Sequence, residues 1–263
     1  MRGILRMIPA SYGGNYSPLT TAWITATGES NPTILNALNT FEEGLVLNSF
    51  VSRLLAVYPL VGGNSTKHAF NFMNTANFQL TFFGGITHNS NGYTPNGSTG
   101  YAKTGITPAT HLPLAENSFG VYSRTSPASD GYDISSRNGN RGINLASKWT
   151  DGSTYYDSND DVVGGAGNFL ANTLGLISVN RPNISVKKLF KNGALMSTHG
   201  IQAVSGNPPE IHLSVRNINL VLDFYSVRNL SFVYFATASF SDSEMLTFYN
   251  LVQTLQTSLS RQV

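Results

Sequence analysis

The densest group of oxygen-bearing and aromatic side chains is Tyr155-Tyr156-Asp157-Ser158-Asn159-Asp160-Asp161, with Trp149 a few residues upstream. Calcium takes roughly six to eight oxygen ligands, and Asp157, Asn159, Asp160 and Asp161 could supply part of such a shell. Trp149, Tyr155 and Tyr156 suit a different ligand. An aromatic face packs on the apolar face of a sugar ring, while its hydroxyl or indole N–H is left for hydrogen bonding. The plainer alternatives are a solvated hairpin tip for the stretch and a core position for Trp149.

Other chemistry finds less support. Glycoside hydrolysis needs two carboxyls about 5–10 Å apart, one with a raised pKa. The glutamates are Glu29, Glu42, Glu43, Glu116, Glu210 and Glu244. Glu29, Glu42 and Glu43 fall in or beside a helical segment, and Glu244 belongs to a helix cap. Glu116 and Glu210 remain, both in loop-like, proline-flanked contexts, and no alternating Glu-x-Asp-x-Glu strand is present. A nucleophilic serine lacks its Gly-x-Ser-x-Gly turn. His68, His88, His111, His199 and His212 are dispersed without metal-ligand spacing. Gly164-Gly165-Ala166-Gly167 lacks the Lys-Ser/Thr of a phosphate loop. Cysteine is absent, which excludes disulfides, thiolate metal sites and a thiol nucleophile. The reading is a non-enzyme without cofactor or metal.

The 263 residues suffice for one large β domain. Hydrophobic residues make up 41% and charged residues only 11%, less than half the usual share of about 25%. Asn, Ser and Thr therefore cover the surface with neutral hydrogen-bonding groups. Net charge is +2, and the densest basic group, Lys187, Lys188 and Lys191, is no phosphate-tracking stripe, so nucleic acid is not expected as a partner. No apolar run reaches the roughly 20 residues of a membrane span. Met1 to Pro9 do not read as a secretory signal, so the sequons at Asn64, Asn96, Asn183 and Asn229 are compositional accidents.

The positioning elements follow from pattern. Residues 1–30 are rich in Gly, Tyr, Ser and Thr without period. They read either as a floppy tail or as an extended arm, an anchor or inter-subunit contact, whose Tyr12, Tyr16, Trp23 and Ile24 could bury in a neighbour's groove. Residues 31–59 read as a helix capped by Asn31 with Pro32 in its first turn, a break at Gly44, and a second helix ended by Pro59. From 60 to 240, short β-like runs alternate with Gly, Asn and Pro clusters, as in a sandwich. Candidate strands are Ala69–Phe72, Gln79–Phe83, Phe119–Ser123, Gly142–Lys148, Leu174–Val179, Ser185–Lys191, Ile211–Val215, Leu220–Tyr225 and Leu230–Ala238. Asn192-Gly193 predicts a type I′ hairpin turn. Ser241-Asp242-Ser243-Glu244 is a capping box. It opens an amphipathic helix through Met245, Phe248, Leu251, Val252, Leu255 and Leu259, which would pack on the sandwich or a neighbour.

Several ordered stretches resemble a group of bacteriophage virion and appendage proteins with a laminin-G-like (concanavalin A-like) jelly-roll domain. They are Val57-Tyr58-Pro59-Leu60-Val61-Gly62-Gly63 followed by Lys67-His68-Ala69-Phe70-Asn71-Phe72, then Phe78–Phe82 leading into Gly84–Ser90. Pro95–Ala102, Gly120–Thr125, Phe190–Gly193 and Val252–Leu259 follow. The resemblance runs from about residue 31 to the end and is weak across 126–173. It implies a mainly β, concanavalin-like jelly-roll sandwich with short N-terminal helices and a C-terminal helix. It also implies a virion protein, such as a fibre, tail or head-surface appendage, that contacts other virion proteins and sister subunits in a homo-oligomer. It carries over no catalytic residue. A carbohydrate-binding receptor module for host glycans is the alternative function, and a polysaccharide depolymerase a further one.

Overall fold

The computed structural model describes residues 16–139, 141–160 and 170–263. Tyr12, Asp161 and the Gly164–Gly167 run lie outside the described residues.

The chain opens with helices α1 (Pro18–Thr27) and α2 (Pro32–Leu47), a 3-10 turn (Val51–Arg53), β1 (Leu54–Tyr58) and a single-turn α3 (Ser65–His68). Next come β2 (Thr81–Phe83), β3 (Ile86–Asn89), β4 (Gly92–Pro95), β5 (Tyr101–Lys103), α4 (Pro108–His111) and β6 (Asn117–Ser123). β7 (Ile134–Asn138), β8 (Arg141–Ala146), β9 (Tyr155–Asp160), β10 (Gly175–Asn183), β11 (Val186–Lys191) and β12 (Ala194–Gly200) follow. The chain closes with β13 (His212–Leu213), β14 (Arg216–Ile218), β15 (Val221–Asp223), β16 (Leu230–Ala236) and α5 (Asp242–Ser258).

Two eight-stranded sheets form the sandwich. The first runs β12-β11-β10-β6-β16-β4-β3, with β1 also paired to β16; the second runs β15-β14-β7-β13-β5-β2, with β8 and β9 extending from β7. The mainly β fold read from sequence is therefore the observed one. Strand alternation sorts the side chains into two cores. Val121, Ile177, Val179, Leu189 and Val233 of the first sheet meet Ala102, Ile134, Leu145, Tyr156 and Leu213 of the second. On the outer face of the first sheet, Tyr122, Leu176, Phe190, Phe232 and Tyr234 share a second core with Leu38 and Phe41 of α2 and Met245, Phe248 and Val252 of α5. Helices thus cover the first sheet, while the helix-bearing core does not extend to the outer face of the second sheet.

The arm reading needs correction from residue 16 onward. Residues 18–27 are helical because Glu42, reaching across from α2, satisfies the orphan donors at the start of α1: its carboxylate accepts from Leu19 N, Thr20 N and Thr20 Oγ1, each at 2.8 Å. Gly28, at φ 64°, closes the helix. Trp23 is wholly buried in this chain's own helix-side core, and Tyr16 and Ile24 pack against that core. Trp23 is therefore a packing residue, and its face is not available to a partner.

The helical segment also differs. Gly44 does not break α2. A Cβ there would come 2.4 Å from Leu251 Cδ2, so the glycine lets α5 lie close. The expected second helix is a turn and then strand β1, with Ala56, Val57 and Tyr58 opposite Phe235, Tyr234 and Val233 of β16. A short, continuous apolar run such as Leu54–Tyr58 fits either element by pattern, and the two-sided burial available beside β16 selects the strand. Ala69–Phe72 is not a strand; the buried Asn71 side chain accepts from Val57 N at 3.0 Å and ties that segment to β1.

Two local readings match. The turn between β11 and β12 places Asn192 at φ 50° and Gly193 at φ 76°, the positive pair of a type I′ turn. The capping box is complete: Ser241 N donates to Glu244 Oε2 (2.7 Å), and Glu244 N donates to Ser241 Oγ (3.2 Å). Arg53 adds a hydrogen bond to Glu244 Oε1 at 2.7 Å and holds that carboxyl at about 2. Replacing Ser241 with Ala is expected to lower unfolding free energy by about 1 kcal/mol, measurable as a lower urea midpoint at unchanged slope.

His68 and His88 meet at the foot of α3, Nδ1 to Nδ1 at 2.9 Å, which requires one ring to donate and the other to accept. Phe82 and Tyr93 pack on His88, and after burial the charges that oppose protonation of His68 are His88 and then the Arg261 guanidinium. Burial and these neighbours hold His68 down at about 3, far below its ordinary 6.5. A depressed folded-state value means the neutral pair stabilises the fold above about pH 6.5 and loses that contribution as pH falls toward about 3. Thermal midpoints are expected to drop between pH 7 and pH 5, with a shallower drop in His68→Phe.

Candidate functional site

The second sheet's outer face can be read from its ladders. Ala102, Leu213, Ile134, Leu145 and Tyr156 point inward, so the adjacent cross-strand row points outward. That row runs Thr81, Lys103, His212, Ser135, Asn144, Asp157. Tyr155 and Asp157, two apart on β9, share that face.

At one end of the face, Trp149 is the hub of an aromatic cluster. Its ring centroid lies 5.3 Å from Phe224, 5.6 Å from Tyr132 and 5.7 Å from Tyr155. Trp149 and Tyr155 are partly exposed and Phe224 is 40% exposed, while Tyr132 is buried beneath them, so three rings form a platform on a buried base. Local turns hold it. Trp149 N donates to Ser153 O and Gly152 N donates to Trp149 O. Thr150 donates through N (2.9 Å) and Oγ1 (2.5 Å) to Asp130 Oδ1. Phe224 is set at φ 46° and its ring lies 4.3 Å from the Arg216 guanidinium carbon. Arg216 is paired with Asp223, its Nε donating to Oδ1 at 2.6 Å, and that pairing raises the already basic guanidinium further.

Polar groups rim the platform. Tyr155 OH donates to Asp151 Oδ2 at 2.7 Å, which raises the phenol and lowers the carboxyl from their ordinary values. Among the described residues no acceptor is paired with the Trp149 indole N–H. Farther along the face, Phe83 stacks on Tyr101 (5.0 Å), Tyr101 stacks on His212 (5.4 Å), and Tyr225 approaches Tyr101 (6.4 Å). Burial beside Lys103 lowers His212 to about 4, so it is neutral at pH 7. The face thus offers apolar ring surfaces with hydroxyl, carboxylate and guanidinium groups at their edges. That combination suits a polyhydroxylated ring.

Of the described residues singled out by sequence, Trp149 and Tyr155 belong to this platform, and Tyr156, Asp157, Asn159 and Asp160 do not. Tyr156 faces the opposite way, is wholly buried, and meets Ser197 Oγ at 2.7 Å; burial pushes its hydroxyl up to about 12. Strand alternation forbids the two tyrosines from stacking on one ligand. Asp157, Asn159 and Asp160 are not a solvent-facing calcium shell, nor is the stretch a solvated hairpin tip. Lys187 Nζ donates to Asp160 Oδ2, to Asp157 Oδ1 (3.4 Å) and to Tyr156 O (2.8 Å). Arg181 pairs with Asp160, and Asn144 donates to Asp157 Oδ2 at 3.0 Å. Two cations of this chain therefore fill the seat a metal would need, and among the described residues no cluster of three metal-ligating groups occurs. Burial raises the Asp157 carboxyl against the pull of Lys187. Lys187, a member of the densest basic group in the sequence, is wholly buried.

Tyr132, Phe224, Arg216, Asp130 and the Tyr101 group were not singled out. Each reaches the site through strand pairing or a turn distant in sequence, so local pattern carries no mark of them. The available signal was Leu220–Tyr225, a strand candidate with a phenylalanine at its end.

No family model matches the sequence, and no curated protein matches it. Solved structures do match in fold. The binding domain of botulinum neurotoxin serotype D superposes with a TM-score of 0.55 at 11% identity, covering 77% of this chain and 52% of that one. A botulinum neurotoxin type C structure, from work on cell entry through interaction with two ganglioside molecules, gives 0.55 at 11% identity over 79% and 53%. A Trypanosoma rangeli sialidase mutant displaying trans-sialidase activity gives 0.56 at 8% identity over 83% and 39%. The chain spans about half the length of the toxin chains and less of the sialidase. At these identities the likeness is one of fold.

Proposed function

We propose that this chain is a non-catalytic carbohydrate-binding module that takes a glycan on the outer face of its second sheet. The carrying observation is the Trp149 platform: the Trp149, Tyr155 and Phe224 rings, open to solvent at one end of the second sheet, packed on the buried Tyr132 ring and rimmed by Asp151, Asp130 and Arg216. Trp149 and Tyr155 supply ring faces, and Arg216 and Asp151 supply edge contacts. The fold likeness to toxin domains, one studied with gangliosides, supports the ligand class.

Binding without cleavage is the reading because five of the six glutamates have other partners, while Glu116 stands exposed just before β6. Glu42 caps α1, Glu244 caps α5, Glu29 pairs with Lys67, Glu43 accepts from Asn39, and Glu210 accepts from Gly105 N. The buried Asp133 is matched by Arg228, as Asp157 and Asp160 are by Lys187. The likeness to a sialidase mutant keeps hydrolysis as the contrary outcome.

The sequence resemblance favours a setting for this module: an appendage of a bacteriophage particle, where sister subunits and other virion proteins present its free face to host glycans. The junction carrying that resemblance is fixed by Arg261, which donates to Leu60 O (2.9 Å) and Pro59 O (3.0 Å). A glycan array with the purified chain tests the ligand class. Saturable binding to a restricted set of glycans is expected. No binding to any glycan overturns the reading, and new reducing ends released from a bound polysaccharide overturn its non-catalytic part.

A further inference from the structure

On the helix-bearing side of the sandwich lies a cleft of about 360 Å³ between the start of α2, the β1–α3 loop, the β3–β4 turn and the end of α5. Its apolar wall is Ile34, Val61 and Leu259, and its polar wall centres on Glu29 and Lys67. Lys67 Nζ donates to Glu29 Oε2 at 3.0 Å, while Glu29 Oε1 accepts from Ser30 N (3.0 Å) and Asn31 N (2.9 Å). Glu29 is only 8% exposed, so the pair is largely withdrawn from water.

The backbone is shaped for this pair. Gly62 and Gly63 sit at φ 88° and 73°, and a Cβ on Gly62 would lie 2.4 Å from Lys67 Cδ and 3.1 Å from Glu29 Oε2. Only glycine lets the lysine stem cross to its partner there.

The pair's bonding capacity is not exhausted. A carboxylate oxygen accepts about two hydrogen bonds and an ammonium donates three. Among the described residues Glu29 Oε2 receives only Lys67, and Lys67 Nζ gives only to Glu29. One acceptor site and two donors remain, with no net charge between them. Beside an apolar wall, that pattern matches hydroxyl groups on one edge of a ring and its carbon face on the other. We infer that the cleft is a second sugar subsite, taking a terminal neutral pyranose across the sandwich from the Trp149 platform. The ligand class rests on the proposed sugar-binding function; the place does not.

The test is a titration of the full 15N-labelled chain with the methyl α-glycosides of glucose, galactose and mannose. The amides of Gly62, Gly63 and Ser90 are the reporters. Wild type, Trp149→Ala and Thr33→Trp are compared, since Thr33 lines the cleft and is exposed. Saturable shifts of those amides are expected in wild type and Trp149→Ala, and are lost in Thr33→Trp. Glu29→Gln is expected to weaken binding roughly tenfold by removing a charged hydrogen-bonding partner. Shifts confined to the Trp149 face overturn the cleft and leave the platform standing. Shifts only at the cleft support it and count against the platform. No shift at the three amides with any glycoside overturns the cleft, and tighter binding of glucuronate or glucosamine overturns its neutral class.

Discussion

Lys187→Met is expected to lower unfolding free energy by about 3–5 kcal/mol, because removing one partner of a buried ion cluster leaves charge without compensation. Lys187, Asp157, Asp160 and Arg181 are all essentially excluded from water. Met keeps much of the lysine stem's volume while removing the ammonium that joins Asp157 and Asp160. At roughly 2–4 °C per kcal/mol for a chain of this size, the thermal midpoint should fall by roughly 10 °C. The deficit should shrink as pH is lowered: burial already raises the Asp157 carboxyl, and protonating it removes the uncompensated charge. A chemical-denaturation series at pH 7 and pH 5 checks both parts. A loss under 1 kcal/mol at pH 7 would mean that the cluster is not the lock between β9 and the first sheet.

Trp149→Ala is expected to weaken glycan binding by about 2 kcal/mol or more, the scale of an aromatic anchor at a binding surface, or roughly thirtyfold in Kd. The same variant should keep the fold, since Trp149 lies on the open face and outside both cores. Tyr155→Phe retains the ring and loses only the hydrogen bond to Asp151, so its effect should be smaller. Calorimetry with an oligosaccharide selected on the array measures both. Equal affinity of wild type and Trp149→Ala would remove the platform from the account.

What was legible in the sequence is what local chemistry determines. The capping box at Ser241 fixes the start of α5, and Asn192-Gly193 fixes a hairpin, since each depends on residues within a few positions. The reading failed where distant partners decide. Leu54–Tyr58 became a strand because β16 offers two-sided burial. Residues 18–27 became a packed helix because Glu42 caps them. The same explains the site. Trp149 and Tyr155 are close in sequence and stayed together. Asp157 and Asp160 look like ligand oxygens until Arg181 and Lys187, strands away, are brought against them. Phe224 and Tyr132 join the platform only through folding.

The chain has two tryptophans, and they differ in exposure: Trp23 is wholly buried and Trp149 partly open. In a Trp23→Phe background, emission reports on Trp149 alone. Titrating that variant with an array-selected oligosaccharide is the most direct measurement. A saturable change in Trp149 emission, with a midpoint equal to the calorimetric Kd, is the result expected if the glycan lies on this ring. Binding that saturates by calorimetry while Trp149 emission stays constant would contradict it.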